Sequence, residues 1–157
     1  MTNTKWDIRF LELAQLVSTW SKDDSTRVGA VIVDPANRVV SVGYNGFARG
    51  VADTPDRLDD RDVKLKMVIH AEENAILFAQ RNLVGCTLYT WPFMPCASCA
   101  GKVIQVGIRR VVSLVSDNPR WVQSFQLASQ QFAEAGVIVE FLDSPSPTGS
   151  VANPPPA

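Results

Sequence analysis

Histidine and cysteine are scarce in this sequence, with 1 His and 3 Cys among 157 residues. Three cysteines are too few for a disulfide framework, and they agree with a protein of the reducing cytoplasm. The scarcity also makes position informative, because any site that needs an imidazole has the single candidate His70.

Excess charge is absent as well, since 15 Lys and Arg face 16 Asp and Glu and the net charge is -1 at pH 7. No broad basic field is therefore expected to attract a polynucleotide or an anionic membrane surface. No apolar run approaches the roughly 20 residues of a membrane span. The charged residues that follow residues 1–5 speak against a signal peptide there. These absences favour a small-molecule partner.

The apolar periodicity predicts one α/β domain over residues 1–142, followed by a disordered, proline-rich tail over 143–157. A hairpin opens the sheet, and the last strand–helix–strand unit predicts a parallel pair. The expected fold is therefore a three-layer α/β/α domain with a five-stranded mixed sheet. The charged segment 53–66 is predicted to be a solvated loop with a turn of helix, or a lid. Strands are predicted at 28–33, 38–44, 86–90, 110–115 and 137–142, and helices at 5–20, 70–79, 96–106 and 119–135.

Two short motifs contain the residues best suited to chemistry. The first is His70-Ala71-Glu72, and the second is Pro95-Cys96-Ala97-Ser98-Cys99. One imidazole and two thiolates supply three zinc ligands and leave the fourth tetrahedral position for water, as in a catalytic zinc site. Glu72 is then the natural proton carrier. His-x-Glu followed by Pro-Cys-x-x-Cys is the signature of zinc-dependent nucleobase deaminases.

These motifs have two other interpretations. A Cys-x-x-Cys pair can be a redox dithiol, but such a pair does not need His70 or Glu72. A structural zinc site wants a fourth Cys or a second His, and the remaining Cys86 lies in an apolar, strand-like run. The two motifs together favour the catalytic zinc site.

Beyond the zinc motifs, the chain resembles the deoxycytidylate (dCMP) deaminases of the cytidine-deaminase superfamily from about Trp6 to Leu142. Further motifs carry the resemblance: 25–31 (STRVGAV), 43–46 (GYNG), 70–76 (HAEENAI) and 107–111 (GIRRV). The resemblance implies zinc held by His70, Cys96 and Cys99, with Glu72 as the proton shuttle.

The resemblance also implies further contacts. Asn45, Arg27 and Ala71 are expected to contact the nucleotide. Family members are often homo-oligomers, such as dimers or hexamers, which dCTP activates and dTTP inhibits near the Gly-Tyr-Asn-Gly loop. The residues expected at that effector site or interface are Gly43, Tyr44, Gly46, Phe78 and Arg81.

The chain departs from the family pattern at three places. Trp91 stands before Pro92 where small residues are usual, and it is expected either to contact the substrate base or to pack internally. The tyrosine expected after the fourth strand is absent, and Arg120 or Trp121 is expected in its place. The extra zinc-binding insertion of some phage enzymes is missing.

The function expected is hydrolytic deamination of a cytosine nucleotide, dCMP to dUMP and ammonia. The alternatives within the enzyme class are deamination of guanine, cytidine or a 5-substituted cytosine nucleotide. A non-catalytic zinc-stabilised regulatory module is the alternative from another class, and the presence of Glu72 argues against it. Editing of single-stranded nucleic acid would need a basic groove and stacking aromatics. Trp91, Trp121 and Phe93 could stack, but the net charge of -1 and the absence of a Lys/Arg-rich run argue against this activity.

Overall fold

The computed structural model of the chain describes residues 4–144. Within that range lie six helices and five strands. The helices are α1 Thr4–Ser18, α2 Pro55–Asp59, α3 Arg61–Met67, α4 Ala71–Ala79, α5 Ala97–Gln105 and α6 Val122–Ala135. The strands are β1 Gly29–Val33, β2 Val39–Tyr44, β3 Thr87–Trp91, β4 Arg110–Leu114 and β5 Ile138–Leu142.

The five strands form one mixed sheet in the order β2-β1-β3-β4-β5. β1 pairs antiparallel with both β2 and β3, whereas β3 with β4 and β4 with β5 are parallel. The predicted opening hairpin and the predicted parallel pair of β4 and β5 are therefore confirmed. α6 provides the crossover between the last two strands, as a parallel connection requires.

Helices cover both faces of the sheet, and each face has its own buried cluster. On one face α1 contributes Phe10, Leu11 and Ala14 against alternate residues of β1, β3 and β4. On the other face α4, α5 and α6 pack against the remaining alternate residues, through side chains such as Ala75, Val103 and Phe132. All five residues of β1 are buried because both of its faces are covered. The expected three-layer α/β/α architecture with a five-stranded mixed sheet is thus confirmed.

Several local predictions were wrong. Segment 53–66 holds two short helices, α2 and α3, instead of a loop with one turn. α6 begins at Val122 because the Asn118 side chain accepts the N–H of Arg120 in a turn and does not cap a helix. Trp20 lies beyond the end of α1 and is exposed, although the apolar stripe included it. The predicted tail lies, apart from residues 143–144, outside the described residues.

Among residues 4–144, no helix combines the length and the apolar character needed to cross a membrane.

Candidate active site

The N-termini of α4 and α5 meet on one side of the sheet and bring three metal-ligand side chains together. His70 is the residue that caps the start of α4, and Cys96 is the corresponding residue of α5. His70 Nδ1 lies 3.6 Å from Cys96 Sγ and 3.3 Å from Cys99 Sγ. The three ligand atoms all lie within 4.8 Å of one another. Within the described residues, this is the one group of three or more His, Cys, Asp or Glu side chains with such spacing.

The position of α4 is fixed by β2 and by the segment that follows it. Gly43 lets the two elements approach closely, because a Cβ there would lie 2.3 Å from the Ala71 carbonyl oxygen. Gly46 and Ile69 exchange backbone hydrogen bonds of 3.1 and 2.8 Å immediately before His70. The Asn74 side chain donates to the Tyr44 carbonyl at 2.8 Å. The GYNG motif therefore holds the helix that carries His70 and Glu72.

The position of α5 is fixed by α6 and α4. The Ala97 N–H donates to the Ser124 hydroxyl at 2.9 Å, and the Gln131 amide donates to the Ala97 carbonyl at 3.0 Å. Lys102 of α5 forms an ion pair with Glu73 of α4. These contacts hold the start of α5 beside His70.

Glu72 lies in the first turn of α4 and is almost completely buried, with 3% of its surface exposed. Burial raises its pKa to about 6. It lines the same cavity as His70 and Cys96. A buried carboxyl group next to the three ligand atoms is therefore available to hold or release a proton.

The pKa values of the two cysteine thiols shift in opposite directions. A hydrogen bond from Cys99, together with His70, lowers the pKa of Cys96 to about 4, even though burial opposes this. The pKa of Cys99 is raised because its thiol donates to Cys96 and is buried. Hydrogen bonding to the Cys96 thiolate also raises the pKa of His70. The cluster thus already carries thiolate character, and metal binding requires deprotonated thiols.

The cavity above these groups is apolar on most sides. Phe93 and Trp121 form an aromatic wall with ring centres 6.0 Å apart, and Phe125, which does not line the cavity, packs against Phe93 with ring centres 5.4 Å apart. The Asn45 amide also lines the cavity, where it accepts the Val28 N–H at 2.9 Å and donates to the Thr26 carbonyl at 2.8 Å. Such a wall suits a flat heteroaromatic ring.

The predicted substrate residues divide into two groups. Asn45 and Ala71 line the cavity with His70 and Glu72. Arg27 does not line it, since its guanidinium donates to the Asp23 carbonyl at 3.2 Å and lies 3.5 Å from the Asp24 carboxylate.

Trp91 also lies away from the cavity, which corrects the expectation that it contacts the base. It is the last residue of β3 and packs with the α1-side cluster that contains Tyr89. Residues two apart on a strand face the same way, so the packing interpretation of Trp91 is the one the structure supports.

The residues expected at an effector site lie on the outer side of β2 and α4. Gly43, Tyr44, Gly46 and Phe78 line one groove there, whereas Arg81 lines a neighbouring one. Tyr44 and Phe78 are exposed, and the Arg49 guanidinium lies 5.5 Å above the Phe78 ring.

Sequence reasoning missed several residues that line the cavity. The segment that contains α3 contributes Lys64, Leu65 and Val68, although the sequence singled out none of them. Phe93 lines the cavity as well, and the sequence suggested it only as a stacking residue for single-stranded nucleic acid. No periodic pattern distinguishes these residues, because they reach the cavity from separate loops and helix ends.

The α/β/α sheet with a His/Cys/Cys cluster at two helix N-termini defines the class of cytidine-deaminase-like proteins. The family described as the cytidine and deoxycytidylate deaminase zinc-binding region matches residues 4–115. An uncharacterized deaminase of Aliivibrio fischeri is 47% identical over 142 residues, which are 88% of this chain and 95% of that protein. The mouse deoxycytidylate deaminase is 38% identical over 141 residues, which are 85% of this chain and 77% of that enzyme.

A solved structure supports the same fold. The dCMP deaminase of cyanophage S-TIM5, in complex with dCMP and dUMP, matches with a TM-score of 0.72 and 22% identity over 90% of this chain and 100% of that one. The chain belongs to the cytidine and deoxycytidylate deaminase family.

Proposed function

We propose that the protein is a hydrolytic deaminase that converts dCMP and water to dUMP and ammonia. The observation that carries this is the buried Glu72 carboxyl beside the His70, Cys96 and Cys99 cluster in one cavity. Family membership and relatives named deoxycytidylate deaminase support the choice of a cytosine nucleotide. Related cytosine nucleotides and nucleosides remain the alternatives that a substrate panel distinguishes.

The cluster fits a zinc ion. Tetrahedral zinc, with Zn–N of about 2.0–2.1 Å and Zn–S of about 2.3 Å, requires N···S separations of about 3.5 Å. The separations of 3.6 and 3.3 Å between His70 and the two sulfurs agree with this. When bound, zinc with three protein ligands supplies a Lewis acid that activates water near neutral pH.

Glu72 would move the protons of the reaction. Its carboxylate takes a proton from the attacking water and delivers it to N3 of the cytosine ring, so that C4 becomes electrophilic and the C4–O bond forms. Glu72 then takes the remaining proton from the C4 hydroxyl and passes it to the exocyclic amine, the C4–N bond breaks as the C4=O bond of dUMP forms, and ammonia leaves. The apolar, aromatic wall holds the ring and excludes bulk water, which strengthens these interactions.

The other cavity residues position the substrate. Asn45 has one amide hydrogen left after its bonds to residues 26 and 28, and we assign it to the sugar or base. Ala71 contributes a small side chain next to Glu72, so that a ring can approach the carboxylate closely.

We also propose a homo-oligomer with dCTP and dTTP as effectors. The supporting feature is the exposed apolar surface of Tyr44, Leu77 and Phe78 around the groove on β2 and α4. A cytoplasmic location is proposed because all three cysteines are free thiols and the site depends on two of them.

A substrate panel tests the proposal. Ammonia release is measured from dCMP, deoxycytidine, cytidine, free cytosine, guanine and a 5-substituted cytosine nucleotide. Release from dCMP at the highest kcat/KM is the expected result. Activity confined to nucleosides or free bases would overturn the assignment of dCMP.

A further inference from the structure

The cavity that holds Glu72 opens into a second, more polar cavity at its mouth. Four residues line both spaces: Asp23, Ser25, Lys64 and Arg120. A ligand with its ring against the aromatic wall would therefore place a polar substituent among these four. The outer cavity is completed by Asp24, Leu58, Asp59 and Arg61.

Lys64 already forms an ion pair with Asp23. Its ammonium lies 3.2 Å from Asp23 Oδ1 and 2.7 Å from Ser25 Oγ. The side chains of Lys64 and Asp23 are only 13% and 11% exposed, so the two charges are largely removed from water together. Hydrogen bonds from residues 25 and 26 and from Lys64 keep the pKa of Asp23 below its usual value, although burial opposes them. Lys64 therefore contributes little uncompensated positive charge.

Arg120, unlike Lys64, has no ion-pair partner among the described residues. Among residues 4–144 its guanidinium has no carboxylate within salt-bridge distance and donates no hydrogen bond. It lies 5.6 Å above the Trp121 ring, on the wall of the inner cavity. Its backbone is held by Asn118, whose side-chain oxygen accepts the Arg120 N–H at 3.1 Å. A guanidinium has a planar array of donors that matches phosphate oxygens in a bidentate way.

The other charges around Arg120 balance one another. The outer cavity has three carboxylates, on Asp23, Asp24 and Asp59. Lys64 pairs with Asp23, Arg27 lies 3.5 Å from Asp24, and Arg61 lines the same cavity as Asp59. One phosphate group on Arg120 therefore leaves no excess of positive charge for a second phosphate.

We propose that Arg120 binds the single phosphate of a nucleoside monophosphate and that the balanced charges of the outer cavity leave no excess cation for longer phosphate chains. This inference rests on the proposed function, since it names the residues that select among cytosine nucleotides at that same site. It makes Arg120 a specificity-determining residue for the substrate.

The test compares Arg120→Gln with wild type on dCMP and deoxycytidine. A lost hydrogen bond to a charged group predicts that kcat/KM for dCMP relative to deoxycytidine falls about 10- to 100-fold. Arg120→Lys keeps the charge without the planar donors, so its ratio of kcat/KM values should lie between those of wild type and Arg120→Gln. The control is Arg109→Gln, because Arg109 is an exposed arginine that lines neither cavity.

Two further measurements complete the test. For wild type, kcat/KM for dCDP should be about tenfold or more below that for dCMP. Calorimetry with dUMP on the zinc-loaded proteins should show weaker binding by Arg120→Gln than by Arg109→Gln.

The outcomes separate the two proposals. An unchanged dCMP-to-deoxycytidine ratio in Arg120→Gln would overturn the role of Arg120, and equal use of dCDP and dCMP would overturn the charge argument. No ammonia from any substrate would refute the proposed function. The dUMP binding would still decide on Arg120, since equal binding by Arg120→Gln and wild type overturns its role.

Discussion

Removal of the Asp7 carboxylate should destabilise the fold far more than removal of an equally short surface ion pair. Asp7 is 1% exposed. Arg110 donates to its two oxygens at 2.8 and 2.7 Å, and the Tyr89 hydroxyl donates at 2.7 Å. This carboxylate joins α1 to β3 and β4.

The expected magnitude follows from burial. Breaking one side of a buried pair typically costs about 3–5 kcal/mol, because the other charge is left unpaired. Arg110 is 21% exposed and keeps Glu140 as a partner, with its Nε donating at 2.7 Å. Asp7→Ala should therefore lower the free energy of unfolding by about 3 kcal/mol, at the lower end of that range.

The matched control is Asp53→Ala, which removes the 2.7 Å pair with Lys22, whose side chains are 27% and 69% exposed. Such surface pairs contribute about 0–1 kcal/mol. Both variants are compared with wild type by urea denaturation at pH 7. If Asp7→Ala loses no more stability than Asp53→Ala, the burial argument is wrong.

The Asp7–Arg110 pair also predicts that the free energy of unfolding depends on pH. Burial alone would raise the pKa of Asp7, but the hydrogen bonds from Arg110 and Tyr89 and the charge of Arg110 lower it below its usual value. The stabilisation is therefore complete above the unfolded pKa of about 3.9 and is lost as the pH falls through the folded pKa. The difference in stability between wild type and Asp7→Ala should narrow below about pH 4, and a constant difference would contradict the assignment.

Other substitutions test the metal site and its support. Cys99→Ala and His70→Ala should each lose zinc and ammonia release yet stay folded with a lower Tm. Metal analysis and circular dichroism check this, and global unfolding would mean that the metal is mainly structural. Gly43→Ala should cost about 1–3 kcal/mol and reduce kcat, because the new Cβ would lie 2.3 Å from the Ala71 carbonyl and displace α4. Gly46→Ala is its control, since a Cβ at Gly46 meets no atom within 4 Å; equal losses in the two variants would refute the packing argument.

Much of the architecture could be predicted because local patterns determine it. The β-branched run 29–33 is buried on both faces, and the parallel pair of β4 and β5 follows from a single crossover helix. His70 and Cys96 were placed at helix starts because apolar spacing and Pro95 mark those boundaries.

The rest depended on contacts that no local pattern encodes. Lys64 reaches the cavity through a pair with Asp23, 41 residues away in the sequence. Asp7 pairs with Arg110 across 103 residues. The sequence left Trp91 between base contact and internal packing because β3 was predicted to end one residue early; the longer strand puts Trp91 on the same face as Tyr89, away from α4 and α5.

The most direct test of the central claim uses Glu72→Gln, which keeps the size of the side chain and removes its ability to carry a proton. Metal content and ammonia release from dCMP are measured together, with the exposed Glu134→Gln of α6 as control. Loss of general acid–base catalysis predicts a fall in kcat of about 10²- to 10⁴-fold in Glu72→Gln, with zinc retained. Wild-type activity in zinc-loaded Glu72→Gln would contradict the account.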